Sequence, residues 1–286
     1  MITDIAQDLP NESLRWRVAG TPDGDWFRKS GAISMANIDT MLSIIGTSYQ
    51  DYRRALEFGC GCGRILLHMQ GIAEKTELYG VDIDSEAIGW AQSNVPWVRC
   101  SVNDGMPPLN FPDGHFDLVF NQSVFTHLNE TYQDAWLAEL ARVTRPGAAL
   151  VLSVCGDHAF DELLQSHRKV GADPSKLVEQ YQTKGIVYVE DDGWTGGPFP
   201  DFYHSAFHAP WYVFQHWSKY FEIKAYVPRG SLDFQDYLLL QRREHAAVLP
   251  QAQLLQNPAA AMVAPAATAQ FARRIWRGMK RRVLGA

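Results

Sequence analysis

The sequence predicts an α/β protein with a seven-stranded, mostly parallel sheet, helices on both faces and an antiparallel last strand. Two observations lead to this fold class. Strand patterns and helix patterns alternate from residue 53 to residue 154, which is typical of parallel βαβ units. Two further strand patterns, at 221–227 and 236–243, follow a helix pattern at 210–220 and close the sheet as a hairpin.

The elements of the alternating region can be assigned in order. Residues 34–48 carry apolar side chains at helical spacing, and residues 1–33 are expected to form an irregular arm. The predicted strands are 53–58, 76–81, 97–102, 116–121 and 148–154. The predicted helices are 63–72, 84–94 and 131–147. The second is capped by Asp84 or Ser85. The third begins with Thr131 and Asp134 at capping-box spacing and is ended by Pro146 and Gly147.

The alternation stops after residue 156. Residues 157–209 are aromatic and rich in glycine, and we expect this lid insertion to lie over the carboxyl ends of the strands. Residues 1–245 are therefore predicted to form one domain. Residues 246–270, rich in Ala, Pro and Gln, are predicted to be a linker. Residues 271–286 are predicted to form a basic amphipathic helix.

Composition limits the function classes. Apolar residues make up 46% of the 286-residue chain, which is enough for a full core. Residues 246–286 hold six basic residues and no acid, so the rest of the chain carries 20 basic and 32 acidic residues. This acidic body argues against nucleic acid as a partner. We expect no signal peptide or membrane span, and the four cysteines are expected to be free thiols in the cytoplasm.

A glycine-rich segment follows the first predicted strand. The segment 55–66, ALEFGCGCGRIL, has three glycines between Gly59 and Gly63. Glycine has no Cβ, so a ligand can approach the main chain, and a following helix offers free N–H groups. Asp82 ends the second strand, where a carboxylate can bind ribose hydroxyls. A nicotinamide fingerprint would need its third glycine at Arg64 or Leu66, so neither register fits.

Four motifs occur in the order and spacing of one enzyme family. The motifs are LEFGCGCGR (56–64), LYGVDID (78–84), NDGMPPLNFPDGHFDLVF (103–120) and WLAELARVTRPGAALVLSV (136–154). Together they resemble the class I S-adenosylmethionine-dependent methyltransferases, whose fold is Rossmann-like. The resemblance is dense over residues 55–155 and extends in outline over 210–243. It implies S-adenosylmethionine as the cofactor.

The resemblance also implies roles for individual residues. Glu57 would orient the glycine turn and contact the amino acid end of the cofactor, Asp82 would bind the ribose, and Asp104 would bind the adenine amino group. Ile83 and Met106 would lie on the two sides of the adenine ring. The other expected cofactor residues are Phe58, Gly59, Cys60, Gly61, Gly63, Asn103, Gly105, Asn121 and Ser123.

The acceptor side is expected after the fourth strand and in the lid insertion. Residues 121–124, NQSV, replace the N/D-P-P-Y/F motif of methyltransferases that act on planar exocyclic amines, so base methylation loses support. A hydroxyl acceptor needs a general base. The candidates, in order of preference, are His208 and His204, with His127 at the pocket mouth.

Aromatic and acidic residues of the lid insertion suit a polyhydroxylated acceptor. The expected acceptor residues are Trp194, Asp201 and Tyr203. Asp191 and Asp192 could bind a divalent ion, but an exposed charged turn is the preferred interpretation, so no metal is expected.

The predicted function is methyl transfer from S-adenosylmethionine to an oxygen of a glycan or another small polyhydroxylated acceptor. SVFTHL (123–128) and WLAELARV (136–143) are also similar to methyltransferases found with polysaccharide biosynthesis enzymes. An NAD-dependent oxidoreductase and an inactive cofactor-binding scaffold stay open as alternatives. Residues 271–286 could contact an anionic membrane at the inner face, dock on a protein, or serve as a solubilising tail.

Overall fold

The structure is a computed structural model that describes residues 9–190 and 199–243. Its strands are β1 (Arg54–Phe58), β2 (Glu77–Asp82), β3 (Val98–Val102), β4 (Phe116–Phe120), β5 (Thr144–Val154), β6 (Ile186–Val189), β7 (Ser205–His208), β8 (Phe221–Ser231) and β9 (Gln235–Arg242). Its α-helices are α1 (Glu12–Ala19), α2 (Gly24–Ser43), α3 (Ser85–Asn94), α4 (Glu130–Val143), α5 (Asp157–Lys169), α6 (Ser175–Lys184) and α7 (Pro210–His216).

Seven strands form one sheet in the order β3-β2-β1-β4-β5-β9-β8. Strands β1 to β5 are parallel, and β9 pairs antiparallel with both β5 and β8. The predicted fold class, including the antiparallel last strand, is therefore confirmed. Asp236 at the start of β9 pairs with Val154 at the end of β5, so the last strand contributes side chains to the carboxyl edge of the parallel strands.

Each face of the sheet is covered by its own set of helices. On one face, α4 and α7 place Trp136, Leu140 and Val213 in a core with β1 and β5. On the other face, α2 and α3 form a second core, to which Ile38 and Ile88 belong. Parallel strands buried on both faces read as continuous apolar runs, and all five residues of β4 are buried.

The N-terminal arm corrects one prediction. Residues 12–43 form two helices instead of an irregular arm followed by a helix at 34–48. The side chain of Asp23 caps α2 by accepting from the backbone N–H groups of Asp25 and Trp26. The buried face of α2 contains Ser30, Gly31 and Ser34, so an apolar pattern does not mark its first half.

The segment after the glycine turn corrects a second prediction. Residues 63–72 form irregular turns around a short 3₁₀ helix at Leu66–His68, not an α-helix. Helix α2 passes so close that a Cβ on Gly31 would lie 2.2 Å from the carbonyl oxygen of Arg64. In an α-helix that oxygen would accept from His68, whose N–H instead donates to Ile65 at 3.0 Å.

Two helix boundaries also differ from the prediction. Helix α4 begins after Asn129, whose side chain accepts from the backbone of Tyr132, so the cap lies two residues before Thr131. Strand β5 begins at Thr144, ahead of Pro146 and Gly147, and a register irregularity separates its two pairing segments with β4. Asp84 caps α3 as predicted, since its Oδ1 accepts from the backbone of Glu86 and Ala87.

The lid insertion has its own secondary structure. Helices α5 and α6 pack against the two-stranded antiparallel sheet of β6 and β7 through Phe160, Val187 and Phe207. A parallel bridge between Cys155 and Phe207 joins this small sheet to the end of β5. None of the helices in 9–190 and 199–243 is both long and apolar enough to cross a bilayer. The expectations for Asp191, Asp192, Trp194, the linker 246–270 and the helix 271–286 lie outside the described residues.

Candidate active site

The glycine turn after β1 is held by hydrogen bonds to the end of β2. Gly59, Gly61 and Gly63 have φ angles of +78°, +54° and +80°, a region that side chains disfavour. The backbone N–H groups of Gly59 and Cys60 donate to the carbonyl of Val81 at 2.8 and 3.0 Å. The backbone conformation of the turn is therefore one reason why glycine is required at these three positions.

Protein side chains approach this turn closely. A Cβ on Gly61 would lie 2.5 Å from Cγ2 of Val18 in α1, and a Cβ on Gly59 would lie 2.2 Å from Cγ2 of Val124 in the loop after β4. The close approach that the sequence predicted for a ligand is thus made in part by two valines. Val18 belongs to the N-terminal arm, which the sequence predicts to cover the cofactor, and the arm does border the glycine turn.

Asp82 ends β2 and joins it to the glycine turn. Its Oδ2 accepts from the Gly61 N–H at 2.7 Å, and its Oδ1 accepts from the Asp84 N–H at 2.8 Å. Loss of hydration raises the pKa of Asp82 to about 6, against the effect of these hydrogen bonds. The backbone of Ile83 also donates to this carboxylate, and since a carboxylate can accept about four hydrogen bonds, acceptor capacity remains for a ribose hydroxyl.

Glu57 and Arg64 form a buried pair beside the turn. Glu57 is 3% exposed, and its Oε2 has no hydrogen-bond partner among the described residues. Burial raises the pKa of Glu57 well above its usual value, although the charge of Arg64 opposes this. Arg64 is also buried rather than on a solvated helix face, and its Nη1 donates to Ser30 and Ser34 at 3.1 and 3.3 Å.

These buried atoms test whether the site suits S-adenosylmethionine. Arg64 Nε, like Glu57 Oε2, is buried without a hydrogen-bond partner in the described chain. Buried polar atoms are almost always satisfied, so each such atom needs an explanation. One free donor and one free acceptor of opposite charge match the carboxylate and ammonium groups of an amino acid. Glu57 Oε2 and Arg64 Nε therefore fit the amino acid end of this cofactor.

The loop after β3 is the expected adenine site. The backbone N–H of Asn103 donates to the carbonyl of Asp82 at 3.0 Å, so the loop begins beside the acid expected to bind the ribose. Asn103 Oδ1 is buried without a hydrogen-bond partner in the described part of the chain, whereas Asp104 is exposed. A Cβ on Gly105 would lie 2.6 Å from Cζ of Phe202, so a lid residue packs directly on this loop.

The residues expected to contact the cofactor differ in burial and in their contacts with the rest of the chain. Phe58 is 3% exposed and packs on Trp136 with ring centroids 4.6 Å apart, so its side chain belongs to the core. Ile83 and Met106 are partly exposed, on the strand end and the loop where an adenine ring is expected. Gly63 donates its N–H to the carbonyl of Cys60 at 2.9 Å and thereby closes the turn.

A polar network connects the ends of β4, β5 and β9. Asn121 Oδ1 accepts from the Ser153 N–H at 2.9 Å, and Ser153 Oγ accepts from the Ser123 N–H at 2.8 Å. Gln235 Nε2 donates to Ser123 Oγ at 2.7 Å. Ser123 has a φ of +63°, which is unusual for a side-chain-bearing residue and is concentrated at functional sites. Gln235 lies 112 residues after Ser123, so spacing alone did not reveal it.

The structure brings His127, Tyr203 and His204 together. His127 Nδ1 lies 2.9 Å from the carbonyl of His204, and the His204 N–H donates to the carbonyl of His127 at 3.1 Å. The rings of His127 and Tyr203 stack with centroids 4.2 Å apart. Burial lowers the pKa of His127 to about 4. Burial, followed by the charge of Asp82, raises the pKa of Tyr203, so this cluster lies on the Asp82 side of the lid.

His208 lies in the interior at the end of β7. It has no exposed surface, and its Nε2 lies 2.8 Å from the amide nitrogen of Gln133. Burial lowers the pKa of His208 to about 3, so its ring is neutral at physiological pH. An acceptor cannot reach this ring without rearrangement of the surrounding residues.

The remaining acceptor candidates are divided between surface and lid. Asp201 is exposed, while Phe199 stacks on Tyr203 with centroids 4.5 Å apart. Phe202 stacks on Tyr132 at 4.0 Å, so aromatic rings of the lid pack on rings from the domain body. Within 9–190 and 199–243, no three His, Cys, Asp or Glu side chains are grouped as metal ligands would be.

Comparisons with known proteins agree with this geometry. Residues 56–152 match the family described as "Methyltransferase domain". An uncharacterized methyltransferase of Schizosaccharomyces pombe is 32% identical over 136 residues, which are 41% of this chain and 48% of that protein. The malonyl-[acyl-carrier protein] O-methyltransferase of Halorhodospira halophila is 29% identical over 42% of this chain and 40% of its own. The chain thus spans less than half the length of these curated relatives.

A solved structure shows the same fold. The S-adenosylmethionine-dependent methyltransferase of Mesorhizobium loti superposes with a TM-score of 0.51 at 14% identity, over 74% of this chain and 99% of that one. The shared region extends beyond the matched segment, because 74% of the chain is more than residues 56–152. Residues 56–152 therefore match a methyltransferase domain, and the fold around them is similar to that of an S-adenosylmethionine-dependent methyltransferase.

Proposed function

We propose that this protein transfers a methyl group from S-adenosylmethionine to a hydroxyl group. The observation that carries the proposal is the pair of unsatisfied buried atoms, Glu57 Oε2 and Arg64 Nε, beside the glycine turn. S-adenosylmethionine, when bound, supplies a methyl group already activated on a sulfonium. The protein then has mainly to position the acceptor and to accept its proton.

Each part of the cofactor has a matching group in this chain. Asp82 would accept hydrogen bonds from the ribose hydroxyls, and the glycine turn would keep that carboxylate in place through the Gly61 N–H. Glu57 and Arg64 would bind the amino acid end. Asn103 Oδ1 and Asp104 would bind polar atoms of the adenine, and Phe202 would restrict the width of that pocket through its contact with Gly105.

A binding titration tests the cofactor. S-adenosylhomocysteine and NAD are titrated side by side by calorimetry into the full chain. We expect heat from S-adenosylhomocysteine alone. Heat from NAD alone would support the oxidoreductase alternative and contradict the proposal. Binding of S-adenosylhomocysteine without turnover of any acceptor would instead support the inactive scaffold.

We propose a glycan or a similar polyhydroxylated molecule as the acceptor. The cluster of His127, Tyr203 and His204 supports this, because phenol and imidazole groups can form hydrogen bonds with the hydroxyls of sugars. The Halorhodospira halophila relative is named as an O-methyltransferase, which agrees with oxygen as the methylated atom. His204 is our choice as the base, because it is partly exposed while His208 is enclosed.

Transfer of a radiolabelled methyl group tests the acceptor. The full chain is incubated with methyl-labelled S-adenosylmethionine and, separately, with neutral oligosaccharides, bacterial polysaccharide fragments, free fatty acids and a malonyl thioester. We expect label on a saccharide hydroxyl, found by mass spectrometry of the methylated sugar. Label on the fatty acid or malonyl thioester alone would contradict the glycan assignment but leave methyl transfer intact. It would also weaken the proposed link to polysaccharide biosynthesis.

The basic residues at the end of the chain extend the proposal. Five arginines and one lysine lie in 271–286, and in a basic amphipathic helix each would add about 1 kcal/mol of attraction to an anionic membrane. We propose that this segment holds a cytoplasmic enzyme near the inner membrane face, where lipid-linked glycans are available. Sedimentation with anionic vesicles compares the full chain with a truncation after residue 270. Equal pelleting of the two proteins, or pelleting of neither at low salt, contradicts this proposal.

A further inference from the structure

Two cysteines, Cys60 and Cys100, are both neighbours of Gly80 at the glycine turn. Cys60 is part of the turn, and Cys100 lies in β3, two strands away. Between them, Gly80 of β2 pairs with Cys100, and a Cβ at Gly80 would lie only 2.8 Å from the Cys60 sulfur. Register partners on neighbouring strands project side chains to the same face of the sheet, so the missing side chain of Gly80 leaves a gap between Cys60 and Cys100.

The two thiols have different environments. Cys60 is 2% exposed, whereas Cys100 is partly exposed. The neighbouring Cys60 thiol lowers the pKa of Cys100, although burial opposes this, and the Cys100 thiol, followed by burial, raises the pKa of Cys60. Cys100 is thus the accessible sulfur with more thiolate character, and Cys60 is the protected sulfur next to it. Cys62 is fully buried, and burial raises its pKa to about 12. It therefore has neither the accessibility nor the thiolate character of Cys100.

We propose that Cys60 and Cys100 form a reversible oxidation site, in which a peroxide converts the two thiols into a disulfide and the disulfide weakens cofactor binding. The Cys100 thiolate attacks one peroxide oxygen, the O–O bond breaks, and hydroxide leaves as Cys100 becomes a sulfenic acid. The Cys60 sulfur then attacks the Cys100 sulfur, the S–O bond breaks, and the oxygen leaves as water with the Cys60 proton. Overall, two thiols and one peroxide give one disulfide and two waters.

The position of Cys60 explains why the disulfide would affect the cofactor. A disulfide brings its sulfurs to about 2.05 Å, closer than any two sulfurs that are not bonded to each other. Cys60 lies between Gly59 and Gly61, whose N–H groups bind Val81 and Asp82. Drawing Cys60 toward β3 therefore displaces the turn that holds the Asp82 carboxylate. This effect on binding rests on the proposed function, whereas formation of the disulfide does not.

Peptide mapping and calorimetry together test the inference. The full chain is treated with hydrogen peroxide, free thiols are alkylated, and the digest is analysed without reduction. We expect a linked Cys60–Cys100 peptide and an affinity for S-adenosylhomocysteine that falls by about tenfold, the effect of losing one charge-assisted hydrogen bond. Dithiothreitol should remove the linked peptide and restore the affinity.

Variants separate this site from general oxidation. Cys100→Ser should abolish both the linked peptide and the loss of affinity, and Cys60→Ala should do the same with its fold checked by thermal unfolding. Cys155→Ser is the matched control and should keep both responses. Oxidation of Cys100 without the linked peptide, or a linked peptide with unchanged affinity, overturns the proposal. If the reduced protein does not bind S-adenosylhomocysteine, the proposed function fails, and the peptide map still decides whether the oxidation site exists.

Discussion

The Gly61 N–H donates to Asp82 Oδ2 at 2.7 Å, so the carboxylate at the end of β2 is bound to a turn that begins 23 residues before it in the chain. The same carboxylate accepts from Asp84 through its other oxygen, and Asp84 caps α3. Backbone groups on both sides therefore fix the direction of Asp82. A site of this kind loses little entropy when a ribose diol binds, because its acceptors are already oriented.

Asp82 should make cofactor binding depend on pH. Its pKa in the free protein is raised to about 6, and ribose hydroxyls bind the ionised form better. Affinity for S-adenosylhomocysteine should therefore be constant above about pH 7 and fall below about pH 6, by up to tenfold per unit. Calorimetry between pH 5 and 8 measures this. Asp82→Asn should weaken binding by about 1–3 kcal/mol and remove this pH dependence. Equal affinity in the variant would refute the role of Asp82.

Gly61→Ala should damage the turn in two separable ways. A φ of +54° costs alanine about 1–2 kcal/mol, and its Cβ would also lie 2.5 Å from Val18. We expect lower stability in urea unfolding and weaker S-adenosylhomocysteine binding. Adding Val18→Ala should recover the steric part alone. Gly71→Ala is the control, because a Cβ added to Gly71 would have no neighbour within 4 Å and its φ is ordinary. Equal effects at both glycines would contradict this account.

His208 should act on stability rather than on cofactor binding. Its folded pKa, about 3, lies below the usual 6.5, so the unfolded chain takes up the proton first. The stability that the neutral ring contributes is complete above pH 6.5 and is lost as the pH falls toward 3. His208→Gln should flatten the pH dependence of unfolding between pH 6 and 4 by about 1.4 kcal/mol per unit. An unchanged slope would show that the ring is not enclosed as described.

His204 should act on turnover rather than on stability. Its ring lies edge-on to that of Tyr188 with centroids 5.5 Å apart, and its bonds with His127 use backbone atoms that an alanine keeps. With an acceptor found by methyl labelling, we expect His204→Ala to lower kcat by about 10²–10⁴ and to leave S-adenosylhomocysteine affinity unchanged. Full turnover would remove His204 as the base. His204→Gln, which cannot accept the proton, should be as slow as the alanine variant.

Local patterns predicted the sheet and the acids at its edge. The strands were recognisable because β4 is apolar except for Asp117 and because Asp82 follows the apolar residues of β2 and ends that strand. The helices of the arm were less visible, since α2 buries small polar residues against Arg64. The turns after Gly63 were predicted as a helix because the approach of α2 is a tertiary effect that no local pattern contains.

Contacts between distant segments explain what the sequence did not reveal in the site. Phe202 packs on Gly105, and Gln235 binds Ser123, but neither residue belongs to a motif of its neighbour. His208 was preferred as the base from its position in the lid, and only its burial against Gln133 shows that it is enclosed. Residue type and spacing therefore predicted the part of the candidate site that neighbouring strands form. The positions of the lid residues and of Gln235 depend on tertiary packing, which residue spacing does not contain.

The place of β9 between β5 and β8 has a consequence for the protein during its synthesis. Until residues 235–242 have left the ribosome, one edge of β5 has no partner, although Leu150 and Leu152 are fully buried in the finished protein. An unpaired apolar strand edge is a template for association with other chains. The nascent protein is thus most prone to aggregation just before its last strand is made, and chaperone dependence should be greatest for chains that end before residue 235.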